Sequence, residues 1–246
     1  MHSTTTIRTA EGDCPAHVFT PEAGSGPWPG VLFYMDGLGI RDTLLAMGQR
    51  LANAGYLVLL PDLYYRAGPY EPLDPMKVFA SDSVRDAIWP LYSTTNNTRA
   101  ASDTAAFLAW FDQCPDWAGG RIGTTGYCMG GGMSLTAAGT YPERIGAAAS
   151  FHGGSLATDD PASPHLLAPK MKARVLVAGA VEDESYPPEM AERLERALTE
   201  AGVEHTCETY PGALHGWTMP DFPVYDEPAA ERHWRELIAL YRESLP

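Results

Sequence analysis

Cys128 sits in the run Gly126-Tyr127-Cys128-Met129-Gly130, and that spacing suits a nucleophile. A thiolate attacks carbonyl carbon readily, and a sharp turn between a strand and a helix would aim it into a cleft. Such a turn strains the central residue, so small residues are needed two places before and after it. Gly126 and Gly130 fill those places, and Gly131 and Gly132 extend the room. A cysteine at a helix N-terminus feels the positive end of the helix dipole, which favours the thiolate. The amide of the following residue, Met129, becomes a donor to an oxyanion. The same pattern would also serve a packed, inert cysteine, so an acid and a base must be found elsewhere.

Both have candidates downstream. Val175 to Asp183 reads as a strand followed by a carboxylate-bearing loop, with Asp183 four residues before Pro187 and Glu182 and Glu184 as rival acids. Tyr210-Pro-Gly-Ala-Leu-His215-Gly-Trp217 places a histidine in a glycine-flanked loop after the last strand. There the imidazole would take the thiol proton, and the carboxylate would fix the ring's tautomer and stabilise its charge. Of the seven histidines, His152 in Ser150-Phe-His-Gly-Gly154 is the next candidate, read as shaping the pocket or closing a local hydrogen bond. His165, His205 and His233 read as surface residues. Nucleophile, acid, histidine is the chain order of an α/β-hydrolase. Class I glutamine amidotransferases also use Gly-x-Cys-x-Gly, with the acid two residues after the histidine. Here that residue is Trp217, which disfavours them.

The elements needed to hold these groups are legible. Ile7 to Phe19 reads as a hairpin turning at Glu11-Gly12-Asp13. Gly30 to Met35 and Tyr56 to Leu60 are continuous apolar runs, the mark of parallel strands buried on both faces. Arg121 to Thr125, Ile145 to Phe151, Arg174 to Ala178 and Glu204 to Tyr210 complete the strands. Helical spacing covers Asp42 to Ala54, Thr98 to Cys114, Gly130 to Tyr141, Pro187 to Ala201 and Pro228 to Leu245. Leu63 to Thr98, rich in Pro, Tyr and Asp, reads as an excursion over one sheet edge. Alternating strands and helices predict an α/β fold, an α/β-hydrolase with a mostly parallel central sheet and helices on both faces. No repeat or linker divides residues 1–246, so one domain is expected.

Composition excludes other classes. A formal net charge of −14 disfavours nucleic acid and anionic membranes, which need a basic face. The N-terminus lacks the basic and apolar regions of a signal peptide, and the apolar runs are strand-sized, so a cytoplasmic protein is expected. The four cysteines are far apart with no CxxC pair, which points away from zinc and from a disulfide framework. No metal or cofactor is expected, and the expected partner is a small-molecule ester or lactone. Monomer and homodimer are left open.

With these residues in place, the chain resembles the dienelactone hydrolase (carboxymethylenebutenolidase) family along nearly its whole length. The resemblance is carried by Met35-Asp-Gly-Leu-Gly39, Ala54-Gly-Tyr56, Pro61-Asp-Leu-Tyr64, Gly126-Tyr-Cys-Met-Gly-Gly131, Asp183 and Gly212-Ala-Leu-His-Gly216. It implies a Cys128/His215/Asp183 triad that cleaves an ester or lactone through an acyl-enzyme. It also implies a second oxyanion donor at the Gly37 amide. At the preceding position the family has a glutamate that helps switch the cysteine between states; this chain has the shorter Asp36. Dienelactone-cleaving members hold a substrate carboxylate with two arginines. Here no cation follows His215, and Arg85 is only a loose match for the other arginine. Trp89, Tyr92, Phe151 and Trp217 instead suggest an apolar, aromatic pocket. A promiscuous esterase that also attacks phosphoesters, and a non-catalytic ligand-binding homologue, are the competing readings.

Overall fold

A computed structural model describes residues 1–246. Its centre is an eight-stranded sheet, ordered β1-β2-β4-β3-β5-β6-β7-β8. β1 (His2–Arg8) and β2 (Asp13–Phe19) form a hairpin that turns where expected but starts at His2 rather than Ile7, and β2 adds antiparallel to β4 (Leu57–Pro61). From there to the far edge every pairing is parallel, through β3 (Gly30–Tyr34), β5 (Ile122–Tyr127), β6 (Ile145–Phe151), β7 (Arg174–Gly179) and β8 (His205–Thr209). β3, β4, β5 and β6 are buried along their whole length; β3 and β4 have the unbroken apolar runs of strands covered on both sides, whereas β5 also encloses Thr124 and Thr125 and β6 Ser150.

The covering helices divide into two layers. On one face α1 (Asp42–Asn53) lies over β4 and α7 (Glu227–Ser244) over β6 and β7, joined by an Arg50–Glu231 ion pair. The other layer comprises α4 (Asn97–Gln113), α5 (Met129–Thr140) and α6 (Pro188–Glu200), bridged by a 3₁₀ turn at Pro164–Lys170. α5 is buried on all sides, and its Gly, Ala and Ser residues let it press against β5 and β6. Leu63 to Thr98 carries two short helices, α2 (Pro75–Phe79) and α3 (Val84–Tyr92), started by the capping side chains of Asp74 and Ser83. No helix is long and apolar enough to cross a membrane.

The topology decides where a site can form. β3 is flanked by β4 on one side and β5 on the other, so the chain winds in opposite directions from this point. Parallel α/β sheets open a crevice at the carboxyl ends of strands at such a reversal. Tyr34 on β3 is in register with Gly126 on β5, so Gly37 and Cys128 leave the sheet side by side. β7 and β8 deliver the loops bearing Asp183 and His215 to the same edge, tied by a Val181 N–H to Ala213 carbonyl bond of 2.9 Å.

Candidate active site

The turn between β5 and α5 has the strain its glycines anticipate. Cys128 lies at φ 54°, a left-handed conformation that costs a residue with a Cβ about 1 kcal/mol or more. Its amide is held by the Phe151 carbonyl at 3.1 Å, and its own carbonyl accepts from Gly131 at 3.1 Å. A Cβ at Gly126 would stand 1.8 Å from the Gly130 carbonyl oxygen, and one at Gly130 would stand 2.5 Å from that of Tyr34. Neither position tolerates a side chain. The Met129 amide, first in α5, donates to no other backbone group, and neither does the Gly37 amide. Gly37 packs against Ile88 and Tyr92.

Cys128, Asp183 and His215 line one cleft of about 610 Å³, with Met129 and Arg85, Ile88, Trp89 and Tyr92 of α3. His215 Nδ1 meets Asp183 Oδ2 at 2.7 Å, and neither rival acid contacts the ring. Glu182 is the left-handed residue (φ 52°) that turns the chain before Asp183, and Glu184 lies on the cleft wall. The other Asp183 oxygen, Oδ1, accepts from the Ser185 amide at 2.9 Å and the Ser185 hydroxyl at 2.6 Å. Burial opposes charge on both partners of this pair. For Asp183 the His215 and Ser185 hydrogen bonds prevail and hold its carboxyl below the usual range. For His215 the negative charge of Cys128 and the Asp183 contact prevail, and its pKa is pushed up to about 10. The arrangement therefore favours a protonated His215 between Asp183 and Cys128.

Several residues expected at the site lie elsewhere. Asp36 does not line the cleft. Both its oxygens are taken by Arg41 at 2.8 Å, and Oδ1 also accepts from the Leu38 amide at 2.9 Å. One methylene short of glutamate, it caps its own turn. Phe151 is wholly buried, stacked on Tyr127 behind the sheet, because β6 is covered on both faces. Trp217 is also buried rather than a wall of the cleft, edge-on to His152 with ring centroids 5.0 Å apart. His152 is buried too; its Nε2 meets the Thr218 hydroxyl at 2.7 Å and its ring backs His215 at 5.2 Å. His233, read as a surface residue, is fully buried beneath the sheet, 3.1 Å from the Tyr127 hydroxyl. Arg85 does reach the cleft, stacked over Trp89 at 5.3 Å.

Arg41 and Ser185 were not anticipated. Arg41 joins Asp36 to Asp221 (Nε–Oδ2 2.6 Å), a partner 180 residues away, and sequence carries no signal for that. Tyr64 supports the same turn through its hydroxyl, 2.7 Å from the Gly37 carbonyl. Ser185 did have a signal, because a serine two places after an aspartate suits a turn closed onto that carboxylate.

The model of the dienelactone hydrolase family matches residues 14–245, almost the whole chain. The chain belongs to the dienelactone hydrolase family. It is 27% identical to the Salmonella typhi protein named "Putative carboxymethylenebutenolidase", over 97% of this chain and 86% of that one. Among solved structures, the Klebsiella pneumoniae "Putative Dienelactone Hydrolase" superposes with a TM-score of 0.84 at 24% identity, covering 98% of both chains. A dienelactone-hydrolase-like promiscuous phosphotriesterase from metagenomic libraries gives 0.81 at 22% identity, covering 100% of this chain and 99% of that one. At those identities the two structures speak for the fold, the α/β-hydrolase fold read from the sequence. Membership in the dienelactone hydrolase family makes the chain a hydrolase of that type, acting on esters or lactones.

Proposed function

We propose that this dienelactone hydrolase family member is a single-domain enzyme that cleaves a carboxylic ester or lactone through a Cys128 acyl-enzyme. The observation that carries the reading is the convergence of Cys128, at its strained left-handed φ, with the Asp183–His215 pair in one cleft. The Cys128 thiolate attacks the carbonyl carbon and the oxygen becomes an oxyanion, which accepts from the Met129 and Gly37 amides. As the C–O bond breaks, His215 gives its proton to the leaving alkoxide; in a lactone the ring opens and the alcohol stays attached. His215 then takes a proton from water, the hydroxide attacks the thioester, and the thiolate leaves with the acid released. Asp183 holds His215 in orientation and stabilises its charge throughout.

The substrate would be a neutral ester with an apolar or aromatic group. One wall of the cleft is the Val84, Ile88, Trp89 and Tyr92 face of α3, and the lining holds a single arginine, Arg85, together with the carboxylate of Glu184. Cys128→Ala and His215→Ala are expected to abolish hydrolysis of p-nitrophenyl acetate, and iodoacetamide is expected to label Cys128 selectively with loss of activity. Full activity in Cys128→Ala would rule the mechanism out. A loss of phosphotriester cleavage in that variant would extend the same nucleophile to phosphorus.

A further inference from the structure

We propose that Ser185 is a positioning residue for this triad: with Asp183 and His215 it closes a hydrogen-bonded ring that reserves one carboxylate oxygen for the imidazole. The inference rests on the triad reading above. Asp183 Oδ1 is occupied by Ser185 alone, through its amide at 2.9 Å and its hydroxyl at 2.6 Å. That leaves Oδ2 to His215 at 2.7 Å. The Ser185 hydroxyl oxygen also stands 3.4 Å from His215 Nδ1, so the imidazole N–H points between two acceptors on one loop. A carboxylate with a single partner can rotate about its last bond; one held at both oxygens cannot do so without breaking a charge-assisted bond.

The surroundings hold Ser185 in this geometry. Its carbonyl accepts from the Ser155 amide at 2.7 Å, and Ser155 lies at a left-handed φ of 55°. A Cβ at Gly154 would approach the Ser185 hydroxyl oxygen to 2.8 Å, so glycine there keeps space for the hydroxyl. The loop after β6 thus braces the loop after β7. The charged or titratable groups facing His215 are Cys128 from the start of α5, Asp183 and His152. His152 adds no charge, since burial holds its pKa well below the ordinary range. The carboxylates adjoining Asp183 in the chain, Glu182 and Glu184, make no bond to the ring, so they cannot replace the Ser185 contact.

The sign of the effect follows. A firmly held carboxylate favours charged His215, and charged His215 favours the Cys128 thiolate. Losing the hydroxyl leaves the thiolate to form at higher pH and His215 to lose its proton at lower pH. The active window narrows from both ends.

Ser185→Ala retains the amide bond and removes only the hydroxyl. It is expected to lower kcat for p-nitrophenyl acetate about tenfold with KM little changed. The acid limb of Cys128 alkylation by iodoacetamide should move to higher pH, and the alkaline limb of kcat to lower pH. If Ser185→Ala does not fold, Gly154→Ala, which crowds the hydroxyl, is read in the same way. Limbs unmoved in whichever variant is read, or a rise in KM alone, overturn the assignment. The two proposals fail separately: an unlabelled Cys128 in the unaltered protein defeats the cysteine mechanism, whereas normal labelling with limbs unmoved in the variant defeats only the role of Ser185.

Discussion

At the scale of single residues, the strictest demand is on Gly126. A Cβ there would lie 1.8 Å from the Gly130 carbonyl oxygen and 2.1 Å from its carbon, both backbone atoms that cannot move without unseating α5. Gly126→Ala is therefore expected to cost at least about 3 kcal/mol, read as a lower urea midpoint, with loss of iodoacetamide reactivity at Cys128. Stability within about 0.5 kcal/mol of the unaltered protein would mean that the turn relaxes more cheaply than this geometry implies. The glycine spacing was readable in the sequence because its cause is local: atoms four residues apart collide whatever the rest of the fold does.

The elements differ in how much of themselves they bury. β3, β5, β6 and α5 are almost wholly enclosed and hold the nucleophile rigidly. α3 is the opposite: none of its residues is fully buried, and Trp89 stays 47% exposed. Trp89 therefore contributes little to folding and faces the cleft, whereas Tyr92 also packs against the core. Trp89→Ala is expected to change stability by no more than about 0.5 kcal/mol. It should raise KM for an aryl ester about threefold to tenfold while leaving a methyl ester unaffected, matching the worth of one aromatic contact. Equal effects on both esters would remove α3 from the binding surface. Trp89 and Tyr92 were anticipated as pocket residues together with Phe151 and Trp217, and sequence could not separate the two pairs. Aromatic residues look alike in sequence; burial of a strand on both faces and the path of one loop took Phe151 and Trp217 inside.

Over the whole molecule, the excess of 31 acidic over 17 basic residues gives a field of negative sign. Arg41 is enclosed by Asp36 and Asp221, and Arg66 by Glu11 and Asp103, so neither is open to an incoming anion. Anionic esters should be repelled, and the repulsion should fade as salt shortens the Debye length from ~30 Å at 0.01 M to ~10 Å at 0.1 M. The expected outcome is a kcat/KM that climbs with salt for a carboxylate-bearing aryl ester and stays flat for its neutral analogue. A fall with salt for the anionic ester would instead identify Arg85 as an anion anchor.

The sequence by itself determined the alternation of strands and helices, the Cys128 turn, and the chain order of Cys128, Asp183 and His215. Each depends on contacts within a few residues or on the period of apolar residues along one element, and short-range sterics and burial patterns are written locally. Only the tertiary structure decided that Asp183 Oδ2 meets His215 at 2.7 Å, that Asp36 turns to Arg41, that His233 lies beneath the sheet, and that Ser185 closes the ring on Asp183. Those outcomes depend on where loops from distant strands arrive at one sheet edge. Sheet order and register settle that across separations such as the 180 residues between Arg41 and Asp221, with no local pattern to mark it.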